Sequence, residues 1–91
     1  MEKRLIVKNI SGFHLRPAKG LCNRAIEYES SVMIRFRGRE FNAKSLLGVL
    51  SACVQQKDEI VLVCTGADEE KAISELSAYI ESGMGEGTDE S

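Results

Sequence analysis

The chain has 91 residues, a net charge of −2 and charged side chains spread along its length, so it makes one small domain with a single core and offers no basic run or aromatic-interleaved patch for nucleic acid. Its three cysteines, Cys22, Cys53 and Cys64, are widely spaced and accompanied by only one histidine, which argues against a disulfide framework, a metal site or a cofactor ligand set and for a reducing cytoplasm. The apolar run after Met1-Glu2-Lys3-Arg4 is only Leu5-Ile6-Val7, too short for a signal peptide or for direct membrane insertion.

In chain order, Leu5 and Val7 alternate with Arg4, Ile6 and Lys8, which predicts a strand over residues 3–8. From Ala18, the residues Leu21, Cys22, Ala25 and Ile26 follow helical spacing and predict a helix over 16–28, with Pro17 in its first turn, where the missing N–H does no harm. Gly20 weakens the interior of that helix by about 1 kcal/mol relative to alanine. Val32, Ile34 and Phe36 alternate with Met33, Arg35 and Arg37, and Phe41 lies in a shorter run, so two strands turn near Gly38. Ser45 reads as the N-cap of a short helix carrying Leu46, Leu47, Val49, Leu50 and Cys53.

The run Ile60-Val61-Leu62-Val63-Cys64 suits a central strand. Asp68 then caps a last helix whose stripe is Ala72, Ile73, Leu76, Tyr79 and Ile80. The order is βαββαβα, an α+β open-faced sandwich with a four-stranded antiparallel sheet and three helices on one face. The domain spans 1–83, and the glycine- and acid-rich stretch 84–91 reads as a flexible tail. Tyr28, Tyr79 and Met33 read as ordinary packing or surface residues, and the cysteines as small apolar ones.

The chemistry gathers at Gly12-Phe13-His14-Leu15-Arg16-Pro17-Ala18. Imidazole attacks phosphorus, Arg16 pairs with phosphate oxygens, and a helix starting there turns free N–H groups toward the same anion. By themselves these residues fit better a solvent-facing histidine beside an ordinary arginine. A short helix cannot bury Leu46, Leu47 and Leu50 on one stripe, which leaves at least Leu47 as a candidate for a docking patch beside the loop.

From Leu5 to about Ile80 the sequence resembles the HPr family, the histidine-containing phosphocarriers of the sugar phosphotransferase system. The resemblance rests on Gly12 to Ala18, on Asn42-Ala43-Lys44-Ser45-Leu46-Leu47-Gly48-Val49-Leu50-Ser51, and on Asp58 to Val63 followed by Gly66 to Ala72. It implies that His14 accepts a phosphoryl group through Nδ1 from phosphorylated enzyme I, that Arg16 stabilises it, and that IIA components of sugar permeases receive it. It implies regulatory phosphorylation of Ser45 by an HPr kinase/phosphorylase, with a catabolite-control transcription factor as a further partner, and docking through Pro17, Leu46, Leu47 and Leu50. Lys44 is a candidate to pair with the Ser45 phosphate. The expected protein is a monomeric carrier rather than a free-standing enzyme. The alternatives are a regulatory protein controlled through Ser45 with little use of His14, and a docking module with no phosphorylation.

Four residues depart from the family pattern. Leu15 replaces a small residue, Lys19 an uncharged one, and Cys53 and Lys57 stand where glycines are usual. The last two put in doubt a turn geometry that needs positive φ.

Overall fold

The structure, a computed structural model, describes residues 1–86. Its elements are β1 (Glu2–Ile6), α1 (Leu15–Ala25), β2 (Ser31–Phe36), β3 (Arg39–Asn42), α2 (Leu46–Ser51), β4 (Glu59–Thr65) and α3 (Glu69–Glu81), in the expected order βαββαβα. The strands lie in the order β1-β4-β2-β3, all antiparallel, with Leu5 opposite Ile60 and Ile34 opposite both Leu62 and Phe41. Period-two alternation sends Leu5, Val32, Ile34, Ile60, Leu62 and Cys64 to one face, where they meet Ala18, Leu21, Ala25, Ala72, Leu76 and Ile80 from the helices.

The other face carries Met33, Val61 and Val63 in its centre and is crossed by an ionic strap. Arg35 on β2 spans β4 to reach both carboxylate oxygens of Glu2 on β1, at 3.3 and 3.1 Å, and also touches Glu40 on β3 at 3.4 Å. Its charge is thereby paired with carboxylates on both outer strands of the sheet.

Several boundaries differ from the sequence reading. β1 ends at Ile6, because Val7 leaves the ladder to exchange bonds with the turn before β4, donating to Asp58 O at 3.0 Å and accepting from Lys57 N at 2.7 Å. α1 starts at Leu15 and stops at Ala25 rather than running to 28. Beyond it the chain tightens, with Glu27 N bonded to Arg24 O and Tyr28 N to Ala25 O, and Ile26, expected on the buried stripe, is 56% exposed. The hairpin does turn at Gly38, through two residues with positive φ, Arg37 at 53° and Gly38 at 77°. Cys53 at 56° and Lys57 at 77° hold the left-handed conformation without being glycine, so the turn geometry is kept despite both departures.

Asp68 stands at the N-cap position of α3 but makes no cap bond. Its carboxylate points to the start of β2 instead, accepting from the N–H groups of Glu29 and Ser30, both at 2.9 Å, and from Ser30 Oγ at 2.5 Å. These bonds lower its pKa from 3.8 to about 2. Gly20 on α1 makes room for Tyr79 of α3: a β-carbon there would run into Oη and come within 3.3 Å of Cζ. The Arg24 guanidinium lies over that ring, 4.2 Å from its centroid. Tyr28 donates its hydroxyl to Glu75 on α3, and burial together with that bond raises its pKa to about 12. Cys22 and Cys64 fill core space as expected of apolar residues, whereas Cys53 is exposed.

The stretch expected to fray begins as packed structure. Met84 is buried and Glu86 is hydrogen-bonded to the loop before α1, while 87–91 lie outside the described residues.

Candidate functional site

The loop between β1 and α1 is fixed from below. Asn9 is fully buried, donates its amide to Gly12 O at 2.8 Å, and accepts from Gly12 N through its own carbonyl at 3.2 Å. Gly12 has φ 64° and is pressed against the segment before β4: a β-carbon on it would lie 2.5 Å from Val54 O and 2.7 Å from Gln55 Cα. Only glycine satisfies both the conformation and the clearance. Phe13 is buried and donates its N–H to Val54 O at 2.9 Å, which finishes the anchoring.

The next residue is His14, at the N-cap position of α1, with extended backbone (φ −78°, ψ 177°) and an exposed side chain that makes no cap bond. Its carbonyl accepts the first helical bond, from Ala18 N at 2.8 Å. The first turn holds no acidic residue, so the positive end of the helix, with the N–H groups of Leu15 and Arg16 lacking intrahelical acceptors, lies uncompensated next to His14. Arg16 is 89% exposed and lies 3.9 Å from Glu86. Pro17, expected on the docking surface, is buried; it serves the first turn of the helix and offers no exposed rim.

His14 and Leu15 share a groove of about 360 Å³ with Phe13, Leu50, Cys53, Val54 and Gln55, which brings the start of α1 beside the end of α2. Leu15 is 61% and Leu47 is 76% exposed, whereas Leu46 and Leu50 are half-buried against the core. Of the three leucines on the short helix, Leu47 is the one that faces water. Lys19 is exposed on α1.

Ser45 is the N-cap of α2, with its hydroxyl oxygen accepting from Gly48 N at 3.1 Å. Lys44 does not wait beside it. Its ammonium donates to Tyr28 O at 2.7 Å, just beyond the end of α1, and its carbonyl takes the Cys22 thiol at 3.3 Å.

The sequence reading missed Asn9, Ser11 and Glu86. Glu86 Oε1 accepts from Asn9 Nδ2 at 2.9 Å, Ser11 Oγ at 2.5 Å and Ser11 N at 3.4 Å. Those hydrogen bonds from Asn9 and Ser11 hold its carboxyl below the usual range. Asn9, three residues before Gly12, carried a turn signal, but no periodicity marks a glutamate in a glycine-rich run. Among the described residues no group of three or more His, Cys, Asp or Glu is placed to hold a metal ion, and no helix is long and apolar enough to cross a membrane.

The arrangement is an exposed histidine with an exposed arginine and a helix N-terminus, on a hydrogen-bonded loop beside an apolar rim. A family model described as "PTS HPr component phosphorylation site" matches residues 1–82. The phosphocarrier protein HPr of Borreliella burgdorferi is 34% identical over 82 residues, covering 90% of this chain and 95% of that protein. The HPr-like protein Crh of Bacillus subtilis is 31% identical over 81 residues, covering 89% and 95%. Among solved structures, HPr-C-His from Thermoanaerobacter tengcongensis superposes with a TM-score of 0.92 at 36% identity, covering 96% of this chain and 98% of that one. By sequence along nearly its whole length and by fold, the chain belongs to the HPr family of phosphocarrier proteins of the phosphotransferase system.

Proposed function

We propose that this protein carries a phosphoryl group on His14, taking it from phosphorylated enzyme I and handing it to IIA components of sugar permeases in the cytoplasm. The observation that carries the reading is the position of the only histidine, exposed at the N-cap of α1 and making no cap bond with its side chain. The imidazole nitrogen, Nδ1 by family analogy, places its lone pair on phosphorus as the donor's P–N bond breaks, and the donor nitrogen keeps that electron pair. Arg16 swings to the phosphoryl oxygens, which its exposure permits, and the N–H groups of the first turn face the same charge. An open site of this kind stabilises the phosphoryl group modestly, by about 0.3–1 kcal/mol from the helix end, and modest stabilisation suits a group that must leave again.

Docking falls to the rim formed by Leu15, Leu47 and the half-buried Leu46 and Leu50. Ser45 is the regulatory position: a phosphate there adds about −1.5 to −2 charges beside this rim, so acidic partners are repelled and an Arg-bearing regulator is attracted. Lys44 is engaged with Tyr28 O and is not assigned to that phosphate.

The test is incubation with phosphoenolpyruvate and enzyme I from the same source. An acid-labile, base-stable phosphate on the wild type that is lost in His14→Ala supports the carrier; its absence with the cognate enzyme I rejects it. The similarity to Crh favours a second reading, a regulator working through Ser45. Stable, ATP-dependent labelling of Ser45 without any label on His14 is its signature. The carrier is expected to run as a monomer in light scattering.

A further inference from the structure

The carboxylate of Glu86 is built into the candidate site. It is only 16% exposed, and three donor contacts from Asn9 and Ser11 fix it without any help from Arg16. Asn9 bonds with the same amide to Gly12 O, so the carboxylate is joined to the loop that presents His14. Ile10 and Ser11 border two clefts, one shared with His14, Gln55 and Gln56 and the other with Arg16, Gly85 and Glu86. The histidine and the fixed anion therefore flank the same two residues. Arg16 has Glu86 as its only ion-pair partner among the described residues, at 3.9 Å.

From this geometry we infer that Glu86 is a positioning residue: it holds Arg16 beside the site in the unphosphorylated protein and competes with the phosphoryl group for it afterwards. The inference rests on the phosphocarrier reading. One guanidinium then serves two anions, and the carboxylate stays in place when Arg16 moves, because its hydrogen bonds do not depend on the arginine. The phosphohistidine receives less of the cation than it would from a free arginine, and gives up its phosphoryl group more readily.

The test does not use enzyme I. Phosphoramidate transfers its phosphoryl group directly to imidazole, the P–N bond to His14 forming as ammonia leaves, and the single histidine gives one phosphohistidine 31P resonance. The second ionisation of that phosphoryl group is titrated in the wild type, Glu86→Gln, Arg16→Ala and the double variant. Glutamine keeps an acceptor for Asn9 and Ser11 and removes the charge. The expected result is a phosphoryl pKa lowered by about half a unit in Glu86→Gln, the small end of ion-pair shifts, and an effect less than half as large when Arg16 is absent. Equal shifts in the two backgrounds overturn the proposal, since Glu86 then acts as a plain nearby charge; no shift in either overturns it as well. Backbone amide resonances of residues 9–12 that move while the phosphoryl pKa stays put assign Glu86 to loop structure alone and likewise reject it. Failure of the carrier reading shows elsewhere, as a wild type that enzyme I does not label.

Discussion

Gly12 and His14 sit two residues apart and answer opposite demands. Gly12 has a positive φ and backbone oxygen pressed against the place of its missing side chain; Gly12→Ala should cost about 2–4 kcal/mol in urea unfolding, from the conformation and the overlap together. His14→Ala should move stability by less than about 0.5 kcal/mol, because an exposed side chain with no cap bond contributes little to packing, and should abolish labelling from phosphoenolpyruvate. Ser45 separates the same two concerns within one residue. Ser45→Ala removes the acceptor for Gly48 N and should lower stability by about 0.5–2 kcal/mol with transfer to His14 intact. Ser45→Asp keeps an acceptor and adds charge at the start of α2, so melting should hold while acceptance from enzyme I slows; transfer at the wild-type rate would leave Ser45 as a cap only.

At the scale of elements, strands and helices were legible wherever an apolar period ran unbroken, as in Val32-Ile34-Phe36 and in Ala72-Leu76-Ile80. Their ends were not. α1 stops at Ala25 although Ile26 and Tyr28 continue a plausible pattern, because Lys44, from a distant part of the chain, binds the Tyr28 carbonyl and Glu75 the Tyr28 hydroxyl. Asp68 looked like a cap for its own helix and bonds another element, and a one-dimensional pattern holds no sign of that choice. The site divides the same way: His14 and Arg16 were visible as residue types with a chemistry, whereas the anchoring of their loop by Asn9 and Glu86 is a product of the fold. The turn after α2 supplies a further test. Cys53 has positive φ and an exposed side chain, so Cys53→Gly should raise stability by about 0.5–1 kcal/mol, the relief of a left-handed β-carbon less the entropy of glycine.

For the whole molecule, stability in acid should follow the tie between α3 and β2. The Asp68 carboxyl is lowered from 3.8 to about 2 by its bonds to Ser30 and Glu29, so the unfolded chain takes up the proton first, and the stabilisation is complete above about pH 4 and disappears as the pH falls toward 2. Wild type and Asp68→Asn should differ in melting temperature at pH 6 and converge near pH 2; a gap that persists there would assign the loss to packing. The helical layer holds a constraint of another kind in the contact between Gly20 and Tyr79. Alanine at 20 would favour α1 by about 1 kcal/mol if space allowed, but the phenol oxygen occupies that space. Gly20→Ala should therefore destabilise the wild type, and by clearly less in Tyr79→Phe, where only the 3.3 Å contact with Cζ remains; equal costs in the two backgrounds would remove the hydroxyl from the account. Most of the cost of one substitution is set by a single atom on another helix, so an evolving lineage reaches the better helix former more cheaply after the hydroxyl is gone: the order in which the two positions change is not neutral.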